Sequence, residues 1–145
     1  MKIEKQVSVF PFAGQTSGVV TPGTYAARCD NVAERHGVEQ PQYQTGEPEK
    51  VDLIWFLFTF GDASGQVRRV ATRGMRMSGS EKSNLVKFLR AWLGTEFRFG
   101  IDTDDLKGKS ALVTVGMVPG HKDPSKTFPS ITVVVPLPVQ MVGEV

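Results

Sequence analysis

Hydrophobic and polar positions change period along this chain, and the changes mark its elements. Residues 1–22 mix short apolar pieces with Pro11, Gly14, Gly18 and Pro22, which predicts an irregular arm with an edge strand near Val7 to Phe10. Gly23 to Glu34 follows a Pro-Gly turn and partly alternates, with Tyr25, Ala27 and Cys29 on one face of a first strand. His36 to Lys50, rich in Gly, Pro, Gln and Glu, reads as a long exposed loop. Val51 to Gly61 is apolar on both faces and dense in β-branched and aromatic residues, so it should be a central strand. The turn Asp62-Ala63-Ser64-Gly65 then leads to Val67–Met77, the antiparallel partner, with Gly74 as a bend or bulge.

The period next becomes helical. Leu85, Phe88, Leu89 and Trp92 recur at helix spacing until Gly94, after a capping-box spacing between Ser78 and Glu81, with Ser80 as an alternative cap. Lys82, Lys87 and Arg90 fall off that stripe and should face solvent. Ser110 to Val118 alternates as a fourth strand, and Ser130 to Val135 forms a fifth that Pro136 and Pro138 end. The expected fold is therefore mainly β, a five-stranded OB-like Greek-key barrel with one α-helix between strands 3 and 4. The expected domain covers residues 23–138, between an arm at 1–22 and a tail at 139–145.

At 145 residues the chain is the length of one domain, and its 40% hydrophobic and 22% charged content is that of a globular protein. The single cysteine, Cys29, excludes an intrachain disulfide and a thiolate-rich zinc site. It reads as a small apolar strand residue. The apolar run Leu53 to Phe60 is too short for a membrane span, and the start of the chain leads into no apolar signal core, so a cytoplasmic location is expected.

Charge changes the picture more than composition does. Residues 67–98 hold eight basic and two acidic residues, net +6, whereas residues 1–66 net −3 and residues 99–145 net −1. A basic stretch directly after the run Trp55-Phe56-Leu57-Phe58-Thr59-Phe60 is the combination that single-stranded nucleic acid requires, cations for phosphates and rings for bases. A solvated strand and helix face would produce the same pattern. The candidate contacts are Trp55, Arg69 and Arg73, with Arg68 and Arg76 as alternatives if the bend at Gly74 switches faces. In the loops flanking an OB-fold's binding face the candidates are Tyr43, Lys50, His121, Lys122, Lys126 and Phe128. Trp55 reads equally as a core tryptophan, and Phe56, Phe58 and Phe60 read as core.

The run from GTYAARCDNV through the aromatic second strand, then SGSEKSNLVKFLRAWLG, DLKGKSALVTV and SITVVVPLP, resembles a group of small phage-associated proteins with an OB-like fold. The elements that carry it are Gly23 and Tyr25, Glu81 to Leu85, Trp92 and Gly94, Leu106 to Lys109, and Pro136 to Pro138, within residues 20–138. The resemblance implies single-stranded DNA binding, in replication or recombination of a phage or mobile element.

No HExxH, GxSxG, GxxxxGK[ST] or CxxC pattern is present, and His36 and His121 lie far apart, so neither an enzyme nor a cofactor is expected. Asp102, Asp104 and Asp105 lack the spaced Gly and distal Glu of a calcium loop and read as a turn cap. The expected partners are single-stranded DNA or RNA, a second copy of the chain, and replication or recombination proteins, with no membrane. The alternatives are a structural or protein-interaction module without nucleic-acid binding, and a carbohydrate-binding OB module.

Overall fold

The computed structural model describes residues 10–17, 19–41, 47–120 and 125–138. Its centre is an antiparallel sheet of six strands: β1 (Gly23–Pro41), β2 (Pro48–Gly61), β3 (Val67–Ala71), β4 (Met75–Arg76), β5 (Ser110–Pro119) and β6 (Thr127–Val135). One α-helix, α1 (Asn84–Leu93), joins the halves. The sheet runs β3-β2-β1-β5-β6, with β4 on β2 beyond the end of β3.

The expected closed barrel of five strands is not what forms. The described sheet has six strands and does not close into a barrel; between its ends lie an isolated parallel bridge, Thr72 to Ile131, and a bond from the Ser130 hydroxyl to the Ala71 carbonyl at 3.3 Å. The extra strand arises because the predicted third strand breaks at Arg73 and Gly74. There the backbone passes so close to the Trp55 indole that a Cβ on Gly74 would sit 2.7 Å from its ring carbons.

β2 explains why the sheet is stable. Leu53, Ile54, Trp55, Phe56, Leu57 and Phe58 are all buried, so both faces need cover. On the inner face Ile54, Phe56, Phe58 and Phe60 pack with Val70, Val113 and the α1 residues Leu85, Leu89 and Trp92. On the outer face Leu53, Trp55 and Leu57 pack with Ala71 and with Phe12, which is 1% exposed and comes from the N-terminal segment. That segment is fixed by a turn from Gln15 to the Phe12 carbonyl and by two bonds joining Ser17 to the Arg69 backbone.

The expected loop over His36 to Lys50 is mostly hairpin. β1 and β2 stay paired from Ala27 and Phe60 out to Pro41 and Pro48, because bulges after Cys29 and Arg35 absorb the irregular sequence. Gly37, at φ 67°, makes the second bulge and donates its amide to Asp52. The expected arm strand near Val7 lies outside the described residues apart from Phe10, which packs beside Phe12.

The helix begins three to five residues later than its expected caps. Ser83 is the N-cap, accepting from the Val86 amide at 3.1 Å, while Ser78 and Ser80 organise the preceding turn. Gly94, at φ 58°, ends the helix as expected. Lys82, Lys87 and Arg90 are exposed. Asp102 caps the short 3-10 turn Thr103–Leu106 by accepting from the Asp104 amide.

Two substitutions test this packing. Gly74→Ala should lower stability by about 1–3 kcal/mol, because the new methyl overlaps the rigid Trp55 ring. Ser83→Ala should lower it by about 1 kcal/mol through loss of the cap. Both are measured as shifts in the urea midpoint at unchanged slope; a Gly74→Ala protein as stable as the parent would contradict the close approach.

Candidate nucleic-acid interface

Alternation along β3 sends neighbouring arginines to opposite faces. Arg68 lies opposite Phe60 and Arg69 opposite Thr59. Arg68 is held in the β2–β3 turn, with its Nε 2.8 Å from Asp62 and a terminal nitrogen 2.6 Å from Gln66. Ser64 and Arg68 together hold the Asp62 carboxyl well below the usual carboxylate range. Arg68 therefore fixes a turn.

Arg69 is on the outer face. Thr59 is the register partner of both Arg28 on β1 and Arg69 on β3, so the two arginines flank one threonine across three strands. Asp30 sits 3.4 Å from Arg69. Arg73 is exposed at the break between β3 and β4, and Arg76 is exposed on β4 with Glu49 at 3.4 Å. Exposed pairs at such distances contribute about 0–1 kcal/mol and are screened by salt, so a phosphate can replace the carboxylate.

Trp55 does not join these cations as a stacking ring. It is 6% exposed, roofed by Gly74 and packed on the outer-face cluster. The middle of the outer face, where Trp55 was expected to meet bases, is covered by the chain's own Phe12. Among the loop candidates, Lys50 is exposed near the outer end of β2, opposite Glu39, and Lys126 and Phe128 are exposed at the start of β6. Tyr43, His121 and Lys122 lie outside the described residues.

The structure brings together residues that the pattern alone had not grouped. An open groove of about 530 Å³ between β4 and the start of α1 is lined by Arg76, Lys82, Ser78, Ser80, Ser83 and Asn84, with Leu53, Gly74 and Met75 at its base. The first turn of α1 carries no acidic residue, so the partial positive charge of the helix N-terminus adds to Lys82. The basic count of residues 67–98 contained both cations; the serine spacing between them was the signal for a polar groove. No family model matches this chain, and no curated protein matches it in sequence. The exposed side chains of Arg69, Arg73 and Arg76 follow one another along β3 and β4 toward hydroxyls and a lysine, an arrangement suited to contacts with a phosphate backbone.

Other chemistry has less to work with. Cys29 is buried, which pushes its thiol up to about 12 and leaves it inert. Among the described residues no three His, Cys, Asp or Glu side chains are grouped to hold a metal, and no helix is long and apolar enough to cross a membrane.

The outer end of the β1–β2 hairpin differs in charge. His36 contacts Glu34 at 3.1 Å and Asp52 at 3.4 Å, with Glu39 and Glu49 on the same hairpin. Its bond to Asp52, then that to Glu34, raises the imidazole above its ordinary 6.5. A raised value means the contacts favour the fold fully below pH 6.5 and fade as pH rises through the folded midpoint. Histidine NMR titration should place His36 above 6.5, and Asp52→Asn should bring it back toward 6.5; a midpoint at or below 6.5 in the parent would contradict the pairing.

Proposed function

We propose that this protein binds single-stranded DNA with little sequence preference, as an OB-like module acting in replication or recombination of a phage or mobile element. The observation that carries the reading is the succession Arg69, Arg73 and Arg76 along the β3–β4 edge, ending at the groove with Lys82 and three serines. The strand order β3-β2-β1-β5-β6, with a parallel contact joining β3 to β6, supports the OB-like assignment, since that fold is a partly open Greek-key barrel with a helix between its third and fourth long strands. The resemblance of residues 20–138 to small phage-associated proteins supports the biological setting. Backbone contacts dominate in this reading, and the sheet's central rings serve its core. The activity is binding, without catalysis or a cofactor.

A second reading, a structural or protein-interaction module, has its own observation. Phe128 and Val133 stand exposed on one face of the β5–β6 hairpin, opposite Val118 and Thr114, apolar side chains that a protein partner would cover.

The two readings separate in a titration of fluorescent oligo-dT. Binding should tighten steeply at low salt, with a log-log slope of about −0.7 for each phosphate neutralised. Arg73→Glu and Lys82→Glu should each weaken it at least about ten-fold while leaving the thermal midpoint unchanged, a loss of about 1.4 kcal/mol. Absence of binding at low salt would end the nucleic-acid reading and leave the protein-interaction one.

A further inference from the structure

We propose that the corner at the C-terminal end of α1 is a base-stacking subsite, in which Phe99 receives one unpaired nucleobase while Arg90 and Arg98 hold the adjoining phosphates. The proposal rests on the nucleic-acid reading above and supplies the ring that Trp55 does not.

Phe99 is 55% exposed, whereas the rings of β2 are buried. A phenylalanine left this open keeps apolar surface in water that a stacked base would cover. Its orientation is fixed from one side. The Phe97 ring meets it edge-on at 5.3 Å, and the Arg90 guanidinium carbon lies 5.4 Å from the Phe97 centroid and 5.7 Å from that of Phe99. Two glycines in the left-handed region bracket the segment, Gly94 at φ 58° and Gly100 at φ 90°, so the chain turns sharply into and out of it. The result is an open concavity of about 440 Å³ between Arg90, Phe97, Arg98 and Phe99, with Gly94 and Thr95 on its wall.

The charges suit a nucleotide. Arg98 is exposed, and Lys87 is exposed one turn before Arg90 on α1. Two carboxylates lie nearby. Glu96 is taken by Lys109 at 2.8 Å, and Glu81 reaches Arg90 at 3.3 Å in an exposed contact that a phosphate can displace. Glu81 and Arg90 also tie this corner to the groove described above, because Glu81 adjoins Lys82.

The test compares oligo-dT with an abasic oligomer of the same length, which keeps the phosphates and lacks the bases. Phe99→Ala should weaken oligo-dT binding by about five-fold or more, given about 1–3 kcal/mol per stacked base, and leave abasic binding unchanged. Phe99→Trp should retain oligo-dT affinity and show fluorescence quenching on binding beyond that of the parent, whose tryptophans are buried. It also decides the matter if Phe99→Ala folds poorly. If Phe99→Ala binds oligo-dT as the parent does, or the new tryptophan is not quenched, while Arg73→Glu and Lys82→Glu still weaken binding, the subsite is wrong and the wider reading stands. No binding of oligo-dT by the parent overturns both.

Discussion

The structure depends on burying β2 from both sides. A strand with six successive buried residues cannot lie on the face of a two-layer domain that leaves the other face in water. The chain therefore supplies two covers, α1 on the inner face and the segment around Phe12 on the outer one. This requirement consumes the large rings of β2. Trp55, Phe56, Phe58 and Phe60 each contribute their full apolar area to the core, of order 2–3 kcal/mol apiece, and none remains to meet a ligand.

The same requirement sorts the cations. An arginine on the covered part of a face would be buried unpaired, which is far costlier than any exposed placement. Arg68 is accommodated by tying it into the β2–β3 turn with Asp62, while Arg69, Arg73 and Arg76 lie along the sheet's edge and in the break over Gly74. Their contacts with Asp30 and Glu49 are long and exposed, unlike the 2.8 Å bond that holds Arg68. The hairpin that carries Glu34, Glu39, Glu49 and Asp52 runs beside β4, where Glu49 reaches Arg76 and the Met77 amide donates to the Asp52 carbonyl, so the acidic and basic stretches of the chain meet at that end of the sheet.

Much of the architecture was legible because period and burial agree. The two-faced run of β2, the inward Tyr25, Ala27 and Cys29 of β1, the stripe of α1 and the alternation of β5 all follow from which side meets the core. The misreadings have specific causes. Polar, glycine-rich composition suggested a loop after His36, yet backbone pairing does not depend on apolar side chains once two bulges restore register. The capping-box spacing to Glu81 favoured Ser78, with Ser80 as the alternative, but Ser83 carries the cap because its hydroxyl donates to the Ser78 carbonyl and accepts from the Val86 amide. Trp55 was ambiguous because alternation places it on the outer face without saying what covers that face. Phe12, forty-three positions earlier, supplies the answer, and no local pattern encodes so distant a contact. Phe99 carries no sequence signal for the opposite reason. It lies outside every periodic segment, between two glycines, where only the packing of Phe97 and Arg90 makes it an ordered, open ring.

The central claim is that ligand contact belongs to the periphery of the sheet and to α1, while the middle of the sheet is closed. Mapping amide and indole NMR shifts during titration with unlabelled oligo-dT tests it most directly. The account predicts shifts concentrated at residues 69–84 and 90–99, with the Trp55 indole signal unmoved. Shifts centred on Trp55 and Phe12, or confined to the β5–β6 hairpin, would contradict it.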